Sequence, residues 1–260
     1  MKTRIFAFLI LGCTLFCAPV FAQDPPQFRV LMISTTNGWH HESIAEAVPA
    51  IRGLGSKHQF EVVWEENVAR MFTEENLKRY DVIMFMLTTG DILNPEQQAL
   101  MEKFIRSGKG FVGVHSASDT EAHWPWYTQL LGRSFHIHPP IQTAKISVID
   151  RTFPGTERLP EKFWFTDEYY EFGEENVRGL NYILSVDERT YNPIVNWEWD
   201  KKSGKGMGAF HPIAWNHEFD GGRSFFTALG HMPEDYQDEL FLEHLWGGIY
   251  WAATGKGWKK

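Results

Sequence analysis

The stretch GFVGVHSASDT, residues 110–120, decides the fold class of this chain. Its first half is an apolar run that predicts a buried strand, and its second half is a tight turn of small residues. In α/β enzymes such a turn often carries the nucleophile, but here the position is occupied by His115. The stretch therefore predicts an α/β fold with a histidine at the end of a strand, where ligands usually bind.

Strands and helices alternate on both sides of this stretch in the first half of the chain. Apolar, β-branched runs predict strands at residues 28–34, 59–64, 81–87 and 109–114. Apolar spacing predicts a helix over residues 42–57, which Pro49 would start or kink, and a second helix that begins after Asn94 and ends at Gly108. This alternation predicts a flavodoxin-like parallel sheet with helices on both faces.

The second half of the chain is richer in strand signals. Residues 141–150 and 181–186 predict single strands, and residues 209–219 and 223–229 predict a β-hairpin around the turn at 220–222. Residues 240–253 predict a closing helix. Because no Ser/Gly-rich linker separates the halves, we predict one α/β domain over residues 23–260 with a β-rich C-terminal extension.

The N-terminus has the pattern of a secretory signal peptide. Lys2 and Arg4 precede an apolar run at residues 5–17, and a small-residue cleavage site follows at Ala22. The apolar run is shorter than the roughly 20 residues of a membrane-spanning helix. We therefore expect residues 1–22 to be removed and the protein to be exported to the periplasm without an integral membrane segment. Lipoprotein anchoring through Cys13 is the less favoured alternative.

Cysteine content and charge exclude several classes of function. Both cysteines, Cys13 and Cys17, lie in the predicted signal peptide, so the mature chain would have no disulfide, thiolate nucleophile or cysteine-ligated zinc. The full chain has a formal net charge of −8, and loss of Lys2 and Arg4 would make it more acidic. This charge argues against nucleic acid as a partner, since phosphate binding requires a basic surface.

Histidines are concentrated near the predicted turns. His41 and His115 both follow strands of one parallel sheet, so we expect them at the same rim. Histidine is the commonest metal ligand and a frequent acid or base near neutral pH. A single turn histidine is more often structural, and no strict zinc spacing such as HExxH is present. We predict that some of His41, His138 and His217 hold a divalent metal, zinc or similar, and leave metal-free chemistry open.

Acidic residues offer candidate catalytic groups. Asp167 and Glu168 are flanked by aromatic residues, and a carboxylate in such surroundings can have a raised pKa and act as an acid or base. A solvated surface pair is the competing interpretation. We assign His115, Glu168 and Asp119 as the candidate catalytic residues.

Tryptophans beside the histidine turns suggest a sugar as ligand. Trp39 and Trp124 adjoin these turns, and flat aromatic faces suit sugar rings whose hydroxyls are held by polar neighbours. Core packing is the competing interpretation. Together with Thr89, Arg223 and His211, these tryptophans are the candidate substrate-binding residues.

Five stretches of the sequence carry a family resemblance. They are TTNGWHHESI, TTGDILNPEQQ, GKGFVGVHSASDTEAHWPWY, TDEYYEF and HPIAWNHEFDGGRSFFTALGH, at residues 35–44, 88–98, 108–127, 166–172 and 211–231. Over about residues 28–253 the chain resembles the ThuA-like family, named for trehalose utilisation. The resemblance implies a fold similar to the class I glutamine amidotransferases.

In those amidotransferases the turn after the strand carries a catalytic cysteine, whereas here it carries His115. A cysteine-free mature chain cannot perform that glutaminase reaction, so the resemblance implies the same fold with a different chemistry. Ser116 could serve as a nucleophile only if a histidine other than His115 were its base. Ser116 stands where many relatives have alanine, and Phe226 where many have tyrosine. The family's motif positions carried onto this chain are His41, His115, Asp119, His138, Glu168, His211, His217 and His231.

The resemblance also implies a role in carbohydrate catabolism through keto-sugar intermediates. A carbonyl on a sugar ring acidifies the adjacent C–H bond, so a base such as His115 or Glu168 would permit isomerisation or elimination, with a metal polarising the carbonyl. Hydrolysis of a glycosidic bond by two carboxylates is a further possibility. The alternative from a different class is a carbohydrate-binding accessory protein without turnover. The oligomeric state has no signal in the sequence.

Overall fold

A computed structural model describes residues 25–257 of the chain. The predicted signal peptide, residues 1–22, and the alternative anchor at Cys13 lie outside the described residues. Between residues 25 and 257, no helix is both long and apolar enough to cross a membrane.

Strands dominate the described part of the chain. They are β1 Arg29–Ile33, β2 Glu61–Glu65, β3 Val82–Met86, β4 Gly110–Val114, β5 Arg133–Ile137, β6 Gln142–Val148, β7 Lys162–Asp167, β8 Glu171–Glu175, β9 Asn181–Asp187, β10 Val195–Trp197, β11 Lys202–Gly204, β12 His211–Phe219 and β13 Gly222–Thr227. The helices are α1 Ile44–His58, α2 Val68–Met71, α3 Glu74–Leu77, α4 Pro95–Arg106, α5 Pro125–Leu131 and α6 Glu239–Thr254.

A nine-stranded sheet in the order β2-β1-β3-β4-β13-β12-β9-β6-β7 forms the centre of the molecule. In this order the first five strands, β2, β1, β3, β4 and β13, are parallel to one another. Each of the last four strands, β12, β9, β6 and β7, is antiparallel to its neighbours. The predicted flavodoxin-like sheet is confirmed. Its β-rich extension continues the same sheet, because the hairpin of β12 and β13 places β13 directly against β4.

Strand β4 shows why the sheet is covered on both faces. All five of its residues are buried. A Cβ atom at Gly110 would meet Ala252 of α6, and one at Gly113 would meet Leu131 of α5. Because positions separated by an odd number of residues face opposite sides of a strand, α6 and α5 pack on opposite faces. Glycine at these two positions allows both helices to approach the backbone closely.

The sequence-based elements of the first half lie close to the observed ones. Asn94 caps α4 as expected: its side chain accepts a hydrogen bond from the backbone N–H of Gln97 at 3.0 Å, and the Gln97 side chain accepts one from the Asn94 N–H at 2.9 Å. Pro49 lies inside α1 rather than at its start. The two-stranded sheets of β5 with β8 and of β10 with β11 were not predicted.

His244, on the inner face of α6, makes stability depend on pH. It is 1% exposed, and its Nδ1 atom has no hydrogen-bond partner among residues 25–257. Burial lowers the pKa of His244 from 6.5 to about 3. Below pH 6.5 the unfolded chain therefore binds a proton that the folded protein does not take up until about pH 3, so stability falls as the pH falls through this window.

When the pH is lowered from 7 to 5, the unfolding free energy of the wild type should fall by about 2 kcal/mol more than that of the His244→Leu variant. Urea denaturation at the two pH values measures the difference. The His123→Gln variant is the control, because His123 is exposed and its replacement should leave the pH dependence unchanged. An equal loss in the wild type and the His244→Leu variant would contradict the prediction.

Candidate functional site

The candidate site lies at the carboxyl edge of the parallel strands. Strands β4 and β13 are parallel neighbours with Val114 opposite Thr227, so the segments that follow them emerge side by side. These segments carry His115 and His231. His41 comes from the loop after β1, and Glu168 directly follows β7. The position agrees with the general rule that ligands bind at the carboxyl ends of strands in open α/β sheets.

His115 occupies a constrained turn. Its backbone φ is +50°, in the left-handed region, and its ring is fully buried. The ring Nδ1 lies 2.7 Å from the carbonyl oxygen of Ala228. Because a carbonyl oxygen only accepts hydrogen bonds, Nδ1 must carry the proton, and the Nε2 atom of the neutral ring presents a lone pair on the other side. The turn thus aims one unprotonated nitrogen at the neighbouring side chains.

Three ligand-type atoms converge at this nitrogen. The Nε2 atom of His115 lies 3.1 Å from Nδ1 of His231 and 3.5 Å from Oε2 of Glu168, and the last two atoms are 3.3 Å apart. A ring nitrogen of His41 joins them, so that the four atoms lie within 4.8 Å of one another. In a tetrahedral zinc site the ligand atoms are about 3.4 Å apart, given zinc–nitrogen bonds of about 2.1 Å. We call these four residues the histidine cluster.

The protonation states in the histidine cluster suit a cation. Burial, with the neighbouring His115 and His231, lowers the pKa of His41 to about 2, and burial also lowers the pKa of His115. Burial alone would raise the pKa of Glu168, but the imidazole rings of His115, His138 and His231 around its carboxylate outweigh it and hold this pKa well below its usual range. Neutral imidazoles around an ionised carboxylate are the ligand set that a divalent metal requires.

Asp167 and Glu168 have opposite environments although they are adjacent. Asp167 is fully buried and accepts hydrogen bonds from the backbone N–H groups of Gly230 at 2.9 Å, His231 at 3.2 Å and Glu168 at 2.8 Å. Burial raises the pKa of Asp167. The raised pKa that the sequence suggested for this pair therefore belongs to Asp167, which holds the turn after β13 in place.

His138 contacts the histidine cluster from the solvent side. Its Nδ1 atom lies 2.9 Å from Oε1 of Glu168, the oxygen that faces away from His115. Its ring stacks on Tyr170 and meets the edge of Trp197 at a centroid distance of 4.8 Å. His138 therefore links the cluster to the wall of the adjoining cleft.

A cleft of about 520 Å³ opens onto the histidine cluster. Its lining brings together seven of the residues named from the sequence and four others: Trp39, His41, Thr89, Asp119, His138, Glu168 and His231, with Phe135, Tyr170, Trp197 and Trp199. The hydroxyl of Thr89 accepts a hydrogen bond from the Gly38 N–H and donates one to the Trp39 carbonyl, at 3.1 and 2.9 Å. Thr89 thus positions the loop that carries Trp39. His115 does not line the cleft.

The expected set of His41, His138 and His217 is not brought together. His217 lies opposite Ser224, three residues before the end of β13, and its Nε2 donates to the Leu130 carbonyl at 2.7 Å. Burial lowers the pKa of His217. His231 takes its place in the group, because it follows the end of β13 as His115 follows the end of β4.

Three residues expected to bind substrate also lie outside the cleft. Arg223 is opposite Gly110, at the far end of β4, and donates to the carbonyls of Ala252 and Ala253 at the end of α6. Trp124 precedes α5 and stacks on Trp126 at a centroid distance of 5.1 Å. The ring of His211 is buried behind the cleft wall, between Glu188 and the Tyr170 carbonyl.

Ser116 lies beside the histidine cluster. Its hydroxyl is 3.4 Å from Nδ1 of His41, so the neighbouring histidine is one other than His115. The serine is 1% exposed and does not line the cleft. This contact orients the His41 ring, and a substrate in the cleft does not reach the hydroxyl.

Solved structures with the same fold include two proteins described as ThuA-like. One, from Bacteroides uniformis, has a TM-score of 0.72 and 21% identity and covers 92% of this chain and 98% of its own. The other, from Parabacteroides merdae, has a TM-score of 0.69 and 17% identity, with coverages of 91% and 93%. A glutamine amidotransferase from Thermotoga maritima has a TM-score of 0.50 and 11% identity, with coverages of 87% and 98%.

None of the curated proteins matches the chain. The family model ThuA, described as trehalose utilisation, matches residues 29–252, which include all four members of the histidine cluster. The chain belongs to the ThuA family.

Proposed function

We propose that this protein is a carbohydrate-active enzyme whose cleft binds a sugar beside a divalent metal held by His41, His115, His231 and Glu168. The observation that carries the proposal is the hydrogen bond from His115 Nδ1 to the Ala228 carbonyl, at 2.7 Å. Metal-binding histidines characteristically donate their second ring N–H to such a group. The family description, trehalose utilisation, supports a carbohydrate as the ligand.

The donor set fits zinc or a similar ion. It consists of imidazole nitrogens and one carboxylate oxygen, without sulfur, and three of the atoms have nearly tetrahedral spacing. A bound divalent ion would polarise a carbonyl or hydroxyl oxygen of a sugar that enters the cleft. In this arrangement His115 is a metal ligand and not the general base, because its buried ring does not reach the cleft.

The acid/base role then falls to residues on the cleft surface. His138 lines the cleft, and its contact with Glu168 keeps its ring oriented. Asp119 lines the same cleft and is exposed to solvent. A base at either position can accept a proton from the carbon next to a sugar carbonyl, as isomerisation or elimination of a keto-sugar or glycoside requires. We place this reaction in the periplasm, on the basis of the signal-like N-terminus.

Metal analysis combined with sugar binding tests the proposal. We expect about one equivalent of a divalent metal in the purified mature protein, and we expect chelation to remove both the metal and the binding of trehalose measured by calorimetry. Addition of zinc should restore both. Trehalose binding that survives complete removal of the metal would contradict the metal-centred site and would favour a carbohydrate-binding protein that uses only its aromatic walls.

A further inference from the structure

Two tryptophans in the cleft were not predicted from the sequence and lie on a short hairpin. This tryptophan hairpin, residues 195–204, consists of β10, β11 and their connection. Trp199 is 78% exposed, and its ring stacks on Trp197 at a centroid distance of 5.2 Å and an interplanar angle of 25°. Both rings line the cleft. Single exposed aromatic residues are common on protein surfaces, but a stacked pair that lines a cleft indicates a binding surface.

The aromatic pair is connected to the histidine cluster. Trp197 meets the edge of His138, and His138 contacts Glu168. The rings of His138, Trp197 and Trp199 therefore follow one another outward from the cluster. A molecule that extends from the cluster toward the solvent passes along this row of rings.

Two half-buried carboxylates fix the segment that directly follows the hairpin. Glu188 accepts hydrogen bonds from the backbone N–H groups of Met207 and Gly208, at 2.5 and 2.8 Å, and from Nδ1 of His211 at 2.7 Å. Glu171 accepts one from the Gly206 N–H at 2.7 Å. These bonds follow directly after β11 and hold the tryptophans in position before a ligand arrives. A preorganised surface loses less entropy on binding than a mobile one.

A carboxylate shares the cleft with the hairpin and the histidine cluster. Asp119 lines the same cleft as His138, Trp197 and Trp199. Burial raises the pKa of Asp119, while the positive charge of Lys202, a residue of the hairpin, acts in the opposite direction. Aromatic faces that bind the C–H side of a sugar ring, next to a carboxylate that accepts from its hydroxyls, form a typical sugar-binding arrangement.

We infer that the tryptophan hairpin is a second ring-binding subsite, in which Trp197 and Trp199 stack on a pyranose ring linked to the sugar unit at the histidine cluster. Asp119 accepts hydrogen bonds from hydroxyls at the junction of the two rings. This inference rests on the proposed carbohydrate function and adds the residues that bind the second ring.

Calorimetric titration of the zinc-loaded protein with methyl α-D-glucopyranoside and with trehalose tests the subsite. We expect trehalose to bind the wild type more tightly than the one-ring glucoside does. The Trp199→Ala variant should bind trehalose about tenfold more weakly, while its affinity for methyl glucoside and its zinc content stay unchanged. The Trp164→Ala variant is the matched control, because Trp164 is 59% exposed on β7 and does not line the cleft.

The outcomes separate this inference from the proposed function. Equal weakening of both sugars by Trp199→Ala, or an unchanged affinity for trehalose, overturns the subsite while the proposed function stands. A zinc-loaded wild type that binds neither sugar overturns the proposed function, and the subsite with it.

Discussion

The Glu168→Gln variant is expected to lose metal binding almost completely, with an affinity for zinc at least about 100-fold below that of the wild type. Glutamine preserves the shape of the side chain but removes the negative charge around which the histidines converge. Metal binding depends on this charge, because His41 and His115 are held neutral by burial. Competition with a chromophoric chelator measures the affinity.

The Asp119→Asn variant is the control for this substitution. Asp119 lines the same cleft, but it lies outside the four-residue histidine cluster. Its zinc affinity should therefore equal that of the wild type, although its sugar affinity should fall. Tight, stoichiometric zinc binding by Glu168→Gln would show that the carboxylate is not a ligand and would leave the histidines as a hydrogen-bonded acid/base group.

The Gly110→Ala variant is expected to be less stable than the wild type by about 3 kcal/mol. A Cβ atom at this position would lie 2.2 Å from the carbonyl oxygen and 2.6 Å from the carbonyl carbon of Ala252. Both atoms belong to the backbone of α6, so no side-chain rotation relieves the overlap, and β4 and α6 must separate. The midpoint and slope of urea denaturation give the change in unfolding free energy.

Gly53→Ala provides the comparison. Gly53 lies in the interior of α1, and in the described part of the chain a Cβ atom there meets nothing within 4 Å. Alanine should therefore stabilise the helix by about 0.5–1 kcal/mol, since it has the higher helix propensity. A Gly110→Ala protein as stable as the wild type would mean that α6 packs less closely on β4 than the structure shows.

The parts of the fold that could be predicted are those with strong hydrophobic patterns. Strands β3 and β4 are buried on both faces, so they appear in the sequence as continuous apolar runs. The strands that were missed lack this pattern: β8 has only one buried residue, and β11 has three residues of which two are exposed. Pairing with a neighbour on the surface, and not burial, determines these strands, and single-sequence periodicity does not detect it.

The candidate site was predictable where a residue lies in the segment after a strand of the parallel sheet. This rule brings His41 and His115 to one rim, and at the end of the hairpin it makes His231, which the family resemblance already marks as a motif position, a candidate metal ligand. The sequence favours His217 as a metal ligand because it does not give the register of β12 against β13. The observed register places this residue opposite Ser224, within the strand pair and away from its end. Trp197 and Trp199 follow no periodic pattern, so only the tertiary structure places them in the cleft.

The position of β13 has a consequence for biosynthesis. This strand is the middle one of the nine, yet in the chain only α6 among the regular helices and strands comes after it in the described residues. Until residues 222–227 leave the ribosome, β4 and β12 each present an open edge in the middle of the sheet. Open edges are prone to wrong pairing, so a chain that has not yet added residues 222–227 is exposed to misfolding and aggregation at the centre of its sheet.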